Sequence, residues 1–314
     1  MMVTPLTIPE ATNQADATDA ADATGHAPVP TPSPSARGWA FWLARLWRRH
    51  TAATIAATVL LMIAVVTALA TWVRPYDPTA ADMSALLRPP SLAHPFGTDA
   101  LGRDLLSRTM VGGQPTLVAS LCAVILATAA GLVVGTVAGY ARGAVDTVLM
   151  RLVDVLLSFP FILLALVLVA ALGAGLVTLI VSIAFTQAPI FARLCRSLAL
   201  SISASEYVDA AHAQGIGHAR ILWRHIVPNM LGPVVVQAST TLGLAIGLVA
   251  AFNFLGLGIQ PPTPDWGDMV SDARTYIFTA PYLAFFPGMA ITITVVALSF
   301  LADGLRDLLD PHAR

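Results

Sequence analysis

Residues 206–228, EYVDAAHAQGIGHARILWRHIVP, set a polar segment with two arginines and three histidines between long apolar runs. In an otherwise greasy chain, such an insert reads as a protrusion presented to another protein. Glu206 and Asp209 put acid into the first turn of a helix, where the macrodipole favours it, and Ala210 and Ala211 give that helix a thin face for a partner to approach. Gly215 stops the helix and permits a sharp turn. Residues 216–227 suit a second short helix, which Pro228 breaks before the next apolar run. The expected product is two short helices hinged at a glycine.

The body around this insert belongs in a bilayer. Hydrophobic residues make up 56% of the chain and charged ones 11%, against about a quarter charged in ordinary soluble domains. A hydrocarbon core of about 30 Å needs about 20 helical residues, and runs at 52–73, 116–140, 153–172, 175–193, 231–254 and 283–302 meet that length. Helices are expected because backbone groups in lipid must be satisfied within their own segment, and the runs lack the alternation of barrel strands. The fold class is therefore an all-α membrane protein with six transmembrane helices and a loop, 197–230, between the fourth and fifth. The chain has no lysine. With a cytoplasmic N-terminus, Arg37, Arg45, Arg48, Arg49, Arg142, Arg151, Arg193, Arg196, Arg220, Arg224, Arg306 and Arg314 fall inside and Arg74, Arg88, Arg103, Arg108 and Arg274 outside. That asymmetry follows the positive-inside rule and places the 206–228 loop and both termini in the cytoplasm.

Residues 1–36 are mostly Ala, Thr, Asp and Pro, too poor in large apolar side chains to fold, and read as a disordered tail. Residues 37–51, with Trp39, Trp42 and Trp47 before Arg48 and Arg49, read as an interfacial helix leading into the first span. Between the first two spans, residues 74–115 form an extracytoplasmic loop with two Gly-x-Asp signals. There Asp99 is placed to cap a helix over 101–110, and Arg103 to pair with Asp99 or Asp104. These three residues are candidates both for docking an external protein and for a structural plug. Residues 303–314 form a C-terminal tail on the cytoplasmic side.

Gly131, Gly135 and Gly139 fall on one stripe of the second span, where a neighbouring helix can come close, either within the chain or from a second one. Gly243 and Gly247 repeat the spacing in the fifth span. Pro160, Pro189 and Pro287 interrupt their runs. Asp154 lies three residues after Arg151, the spacing of a local pair. No span centre holds Glu, Lys, Arg or His, which argues against an ion-coupled secondary carrier and for a path powered from elsewhere. Catalytic patterns are missing: no GxxxxGK[ST], GxSxG or HExxH occurs, and Cys122 and Cys195 have no zinc spacing. His212 and His218, six apart, do not share a helix face, so no metal site and no cofactor are expected.

The insert resembles the cytoplasmic loop of permease subunits in ATP-binding-cassette importers, whose pattern is Glu-Ala-Ala, three residues, Gly, nine residues, Ile-x-Leu-Pro. Asp209 stands for the Glu, His225 for the Ile and Val227 for the Leu, while Ala210, Ala211, Gly215 and Pro228 match. Three further blocks, HPFGTDALGRDLLSR at 94–108, FLGLGIQPPTPDWG at 254–267 and DGLRDLLDP at 303–311, are similar to the dipeptide, oligopeptide and nickel branch. The resemblance runs from about residue 50 to the C-terminus. It implies a non-catalytic subunit in a bacterial inner membrane, paired with a different permease chain, two ATP-binding ATPase subunits and an extracytoplasmic solute-binding protein, with no nucleic acid among its partners. Di- or oligopeptides are the expected cargo, with nickel chelates or glutathione-like compounds as alternatives. Glu206 and Asp209 would pair with basic groups on an ATPase, Gly215 would make the turn and Pro228 would fix the return to the fifth span.

Overall fold

The computed structural model describes residues 51–309; the tail at 1–36, all of the 37–51 segment but Thr51, and residues 310–314 lie outside them. Among the described residues the regular structure is helical, with no named strand, only one isolated bridge between Thr98 and Asp104. In chain order the α-helices of eight or more residues are α1 (Thr51–Ala68), α2 (Leu105–Ala141), α3 (Gly143–Ser158), α4 (Phe161–Leu172), α5 (Leu176–Ile202), α6 (Glu206–Ala213), α7 (Val227–Phe254), α8 (Trp266–Ala273) and α9 (Tyr282–Leu309).

The largest interface joins α2 to α5, and the glycine stripe makes it. Gly131 faces Ala188, Phe191 and Ala192, Gly135 faces Ala192, Cys195 and Arg196, and Gly139 faces Arg196 and Ala199. A Cβ on Gly135 would stand 2.7 Å from Cys195 Cβ and 2.9 Å from Arg196 N. The stripe is therefore filled from within the chain. Each four-residue step along α2 is met by a similar step in the same sense along α5, so the two helices run parallel. Parallel neighbours require the chain to cross back between them.

That return is made by a broken span rather than the single run expected at 153–172. α3 and α4 meet at 90° around Ser158, Phe159 and Pro160, where proline cannot continue the preceding helix. Asp146 and Asp154, eight residues apart on α3, pair with Arg196 and Arg193, three apart on α5. Eight residues cover about 12 Å of helix and three about 4.5 Å, so α3 crosses α5 obliquely. It also follows that Asp154 pairs with Arg193 at 2.6 Å, not with Arg151 as the spacing suggested. α4, whose 12 residues rise about 18 Å, is too short to recross about 30 Å by itself, so the return is shared by the bent pair. Five of the described helices are long and apolar enough to cross a membrane, and the bent pair brings the candidate spans to six.

Several other boundaries differ from those expected. α2 starts at Leu105, not 116, and its 37 residues reach about 55 Å, well beyond a hydrocarbon core of about 30 Å. Its first turns are polar and belong to the loop face of the protein rather than to lipid, so an apolar-run reading misses them. The loop after the first span thus ends at 104, and 101–110 is no separate helix. α5 extends to Ile202 and α9 to Leu309, so most of the expected tail at 303–314 that is described is helix.

Ala119, Ala123 and Ala127 of α2, Leu179, Ile183 and Phe191 of α5, and Val249 and Phe252 of α7 form the main core. α1 lies outside it against α9, where Gly304 admits Ala53. Most of its large side chains are exposed, Ile55 and Leu61 at 65% each, a surface that suits lipid rather than water. Not every glycine stripe is a contact: a Cβ on Gly243 would meet Leu298 at 3.7 Å, and one on Gly247 would meet nothing within 4 Å. Gly135→Val should therefore lower the detergent unfolding temperature of the purified protein strongly, by an overpacking cost of about 1–3 kcal/mol, while Gly247→Ala leaves it nearly unchanged.

Candidate functional site

The 206–228 loop sits where α2, α5 and α7 end or begin on one face. Ser205 turns extended before α6, and Glu206 and Asp209 occupy its first turn, exposed to solvent. Val208 and Ala211 are buried against Cys195, Ala199, Ile221 and Met230. Ala211 therefore packs inside the chain, and of the alanine pair only Ala210 is exposed, a correction to the thin face expected of both. The reason is the helical period: Val208 and Ala211, three apart, share the stripe that faces α5.

Gly215 ends α6 with φ +75°. Ile216 N–H donates to Ala211 O at 3.2 Å and Gly215 N–H to His212 O at 2.9 Å, the paired bonds of a Schellman cap. A Cβ at Gly215 would meet nothing within 4 Å, so the residue is required for its backbone conformation, not for space. The second short helix is shorter than expected. His218–Ile221 make one turn, Leu222–Ile226 widen into a π-helical turn, and the chain enters α7 without a break. Pro228 lies in the first turn of α7 directly after the π-helical turn, and the helix runs on through it into the fifth span instead of breaking there.

Residues distant in sequence close around this loop. Tyr140, at the end of α2, places its hydroxyl 2.6 Å from His218 Nδ1 and 3.4 Å from His212 Nε2, and the two imidazole centroids are 5.4 Å apart. Arg142 Nη2 donates to Ser203 Oγ at 3.2 Å. With Asp209 they line an open cavity of about 530 Å³. Arg196 grips Asp146 through Nε and Nη2 at 2.5 and 2.6 Å. No group of three or more His, Cys, Asp or Glu suited to a metal occurs among the described residues. The six-residue gap between His212 and His218 conceals their meeting, because Gly215 folds one helix back on the next.

At the opposite ends of the spans, residues 74–104 and 255–281 form a cap. Asp104, not Asp99, caps α2: its Oδ2 accepts from Ser107 N at 2.8 Å, and its Oδ1 lies 2.9 Å from His94 Nδ1. Asp99 accepts from Leu101 N and Arg103 N, each at 2.9 Å, and pairs with Arg103 at 2.6 Å and Arg108 at 3.4 Å. Both carboxylates are thus turned inward, and Arg103 is held with them. The 254–267 block wedges the cap against the spans. Asp265 is fully buried, accepts from Thr116 Oγ1 of α2 and caps α8 through Gly267 N, and Trp266 Nε1 donates to Thr109 O at 2.7 Å. Each of these sequence blocks therefore secures the scaffold.

Three comparisons locate this architecture among known proteins. Residues 131–314 match the family described as binding-protein-dependent transport system inner membrane component. The glutathione transport system permease proteins GsiD of Escherichia coli O6:K15:H31 (strain 536 / UPEC) and Shigella boydii serotype 4 (strain Sb227) are each 45% identical over 275 residues, 87% of this chain and 90% of theirs. Two solved structures of inward-facing conformations of the MetNI methionine ABC transporter share the fold, with TM-scores of 0.53 and 0.55 at 22% and 20% identity. They cover 66% of this chain and 96% and 98% of their own. The chain belongs to the binding-protein-dependent transport system inner membrane components. It is a multi-pass inner membrane permease component of an ABC transporter, non-catalytic itself, of a kind that works with ATPase and binding-protein partners.

One cap residue carries a pH signature. Asp268 on α8 is pushed up to about 6, first by burial and then by the Asp272 carboxylate, against the pull of Arg108. A carboxyl raised in the folded state favours folding while protonated, and that contribution is lost as pH rises from about 4 through about 6. Asp268→Asn should raise the unfolding temperature most at pH 7.5 and progressively less toward pH 4, read by thermal scans of the detergent-purified protein.

Proposed function

We propose that this chain is one half of the translocation path of an ATP-driven importer for short peptides, glutathione-like compounds foremost, and that the 206–228 loop is where an ATPase subunit drives it. The observation that carries the coupling role is the hinged pair of short helices joined by the Schellman turn at Gly215, with Glu206, Asp209 and Ala210 exposed on it. Such a knob, held to the spans by Val208, Ala211, Ile221 and Ile226, converts a push on its surface into movement of α2, α5 and α7. The twelve-to-five arginine asymmetry supports a cytoplasmic loop, and with the bent pair counted as one span both ends of the described chain would lie on the loop's side. A second, different permease chain would complete the path, two ATPase subunits would bind the ATP, and no cofactor is needed in this one.

Of the cargoes weighed, glutathione-like compounds have more support than general di- or oligopeptides, because relatives 45% identical along nearly their whole length are named glutathione permeases. An external solute-binding protein would deliver the cargo to the cap. Asp99, Arg103 and Asp104 would keep that receiving surface in shape, since the two carboxylates are engaged internally.

Gly215→Val should abolish uptake with membrane levels unchanged, since only the left-handed turn is lost, whereas Gly215→Asn should retain a substantial part of it. Normal uptake by the valine variant would refute the coupling role. Cargo is read separately, by uptake of labelled glutathione against labelled dipeptides in cells with and without this permease; dependence of dipeptide uptake alone would overturn the glutathione reading.

A further inference from the structure

We infer that Tyr140 is the positioning residue that latches the 206–228 loop to the spanning helices, and that the latch works through His218. This rests on the coupling role proposed above. α6 itself touches the spans lightly: its buried stripe is only Val208 and Ala211, and its polar ties are the 3.4 Å contact of His212 with Tyr140 and the 3.3 Å contact of Tyr207 with Asn229. Tyr140 meets both helical pieces of the loop at once, His212 before the Gly215 turn and His218 after it. It also stands one residue beyond Gly139, the last glycine of the stripe that locks α2 to α5. A displacement of the loop at Tyr140 is thus delivered to the α2–α5 pair, the largest helix interface among the described residues.

The chemistry fits a latch better than a filler. A phenol has one proton to donate and oxygen lone pairs to accept, so it can donate to one imidazole and accept from the other. The 2.6 Å contact with His218 Nδ1 is the short one, and the ring of His212 lies at 14° to the Tyr140 ring, with centroids 6.2 Å apart. Arg142 and Asp209 are the charged groups that share the cavity, and Arg142 binds Ser203 at the end of α5, beside the latch rather than across it. Phenylalanine would keep the packing and remove only the hydroxyl.

The test uses the full transport complex reconstituted in vesicles, with uptake and ATP hydrolysis measured together. Tyr140→Phe should lower solute moved per ATP by about threefold to tenfold, the worth of one hydrogen bond, with assembly and ATPase rate kept within about twofold. His218→Ala should give the same loss, the double variant no further loss, and His218→Asn, whose amide can reach the Nδ1 position, a partial return. A Tyr140→Phe variant with full coupling, or losses that multiply in the double variant, would overturn the latch. If Gly215→Val still blocks uptake in that case, the coupling loop stands and only the latch falls. If Gly215→Val transports normally, the parent reading fails instead.

Discussion

The close approach of α2 to α5 is the constraint on which the rest of the architecture depends. Without a strong hydrophobic drive between helices in lipid, association relies on dispersion and close backbone contact, and three glycines four residues apart supply both. Because the contact is parallel, the intervening chain has to return, and with α3 tied obliquely across α5 by Asp146 and Asp154, that return is shared between α3 and the short α4. The broken span thus combines the break at Pro160 with the two ion pairs that hold α3 across α5.

The 206–228 loop and the cap, at opposite ends of these helices, have different constructions. The cap is laced by internal polar bonds, Asp104 to Ser107, Asp99 to Arg103 and Asp265 to Gly267, each made possible by backbone donors at a helix start or turn. The 206–228 loop is held mainly by one apolar stripe and keeps its acids outward. A stiff cap and a lightly held knob at opposite ends of shared helices suit a protein moved from one side only.

Much of the local structure of the loop was legible in residues 206–228. Acid in the first turn, the alanine pair and the glycine stop are local signals, and α6 runs from Glu206 to Ala213 with Gly215 in the left-handed region just after it. Less legible was the role of each side chain, since Ala210 and Ala211 are identical in type and separated only by which one faces α5. Pro228 illustrates the same limit: a proline can end a helix or lie in its first turn, and its surroundings decide between the two. Tyr140 gave no signal because its partners lie more than seventy residues away.

The sequence by itself determined that this is an all-helical membrane chain with a hinged polar loop, because hydropathy over about 20 residues and glycine's freedom at positive φ are local properties. Only the tertiary structure decided that the glycine stripe is filled from within, that one span is bent at 90°, that Asp154 reaches Arg193 and that Tyr140 gathers two histidines. Those outcomes turn on which faces of distant helices meet, and a face acquires a neighbour only when the whole chain has packed.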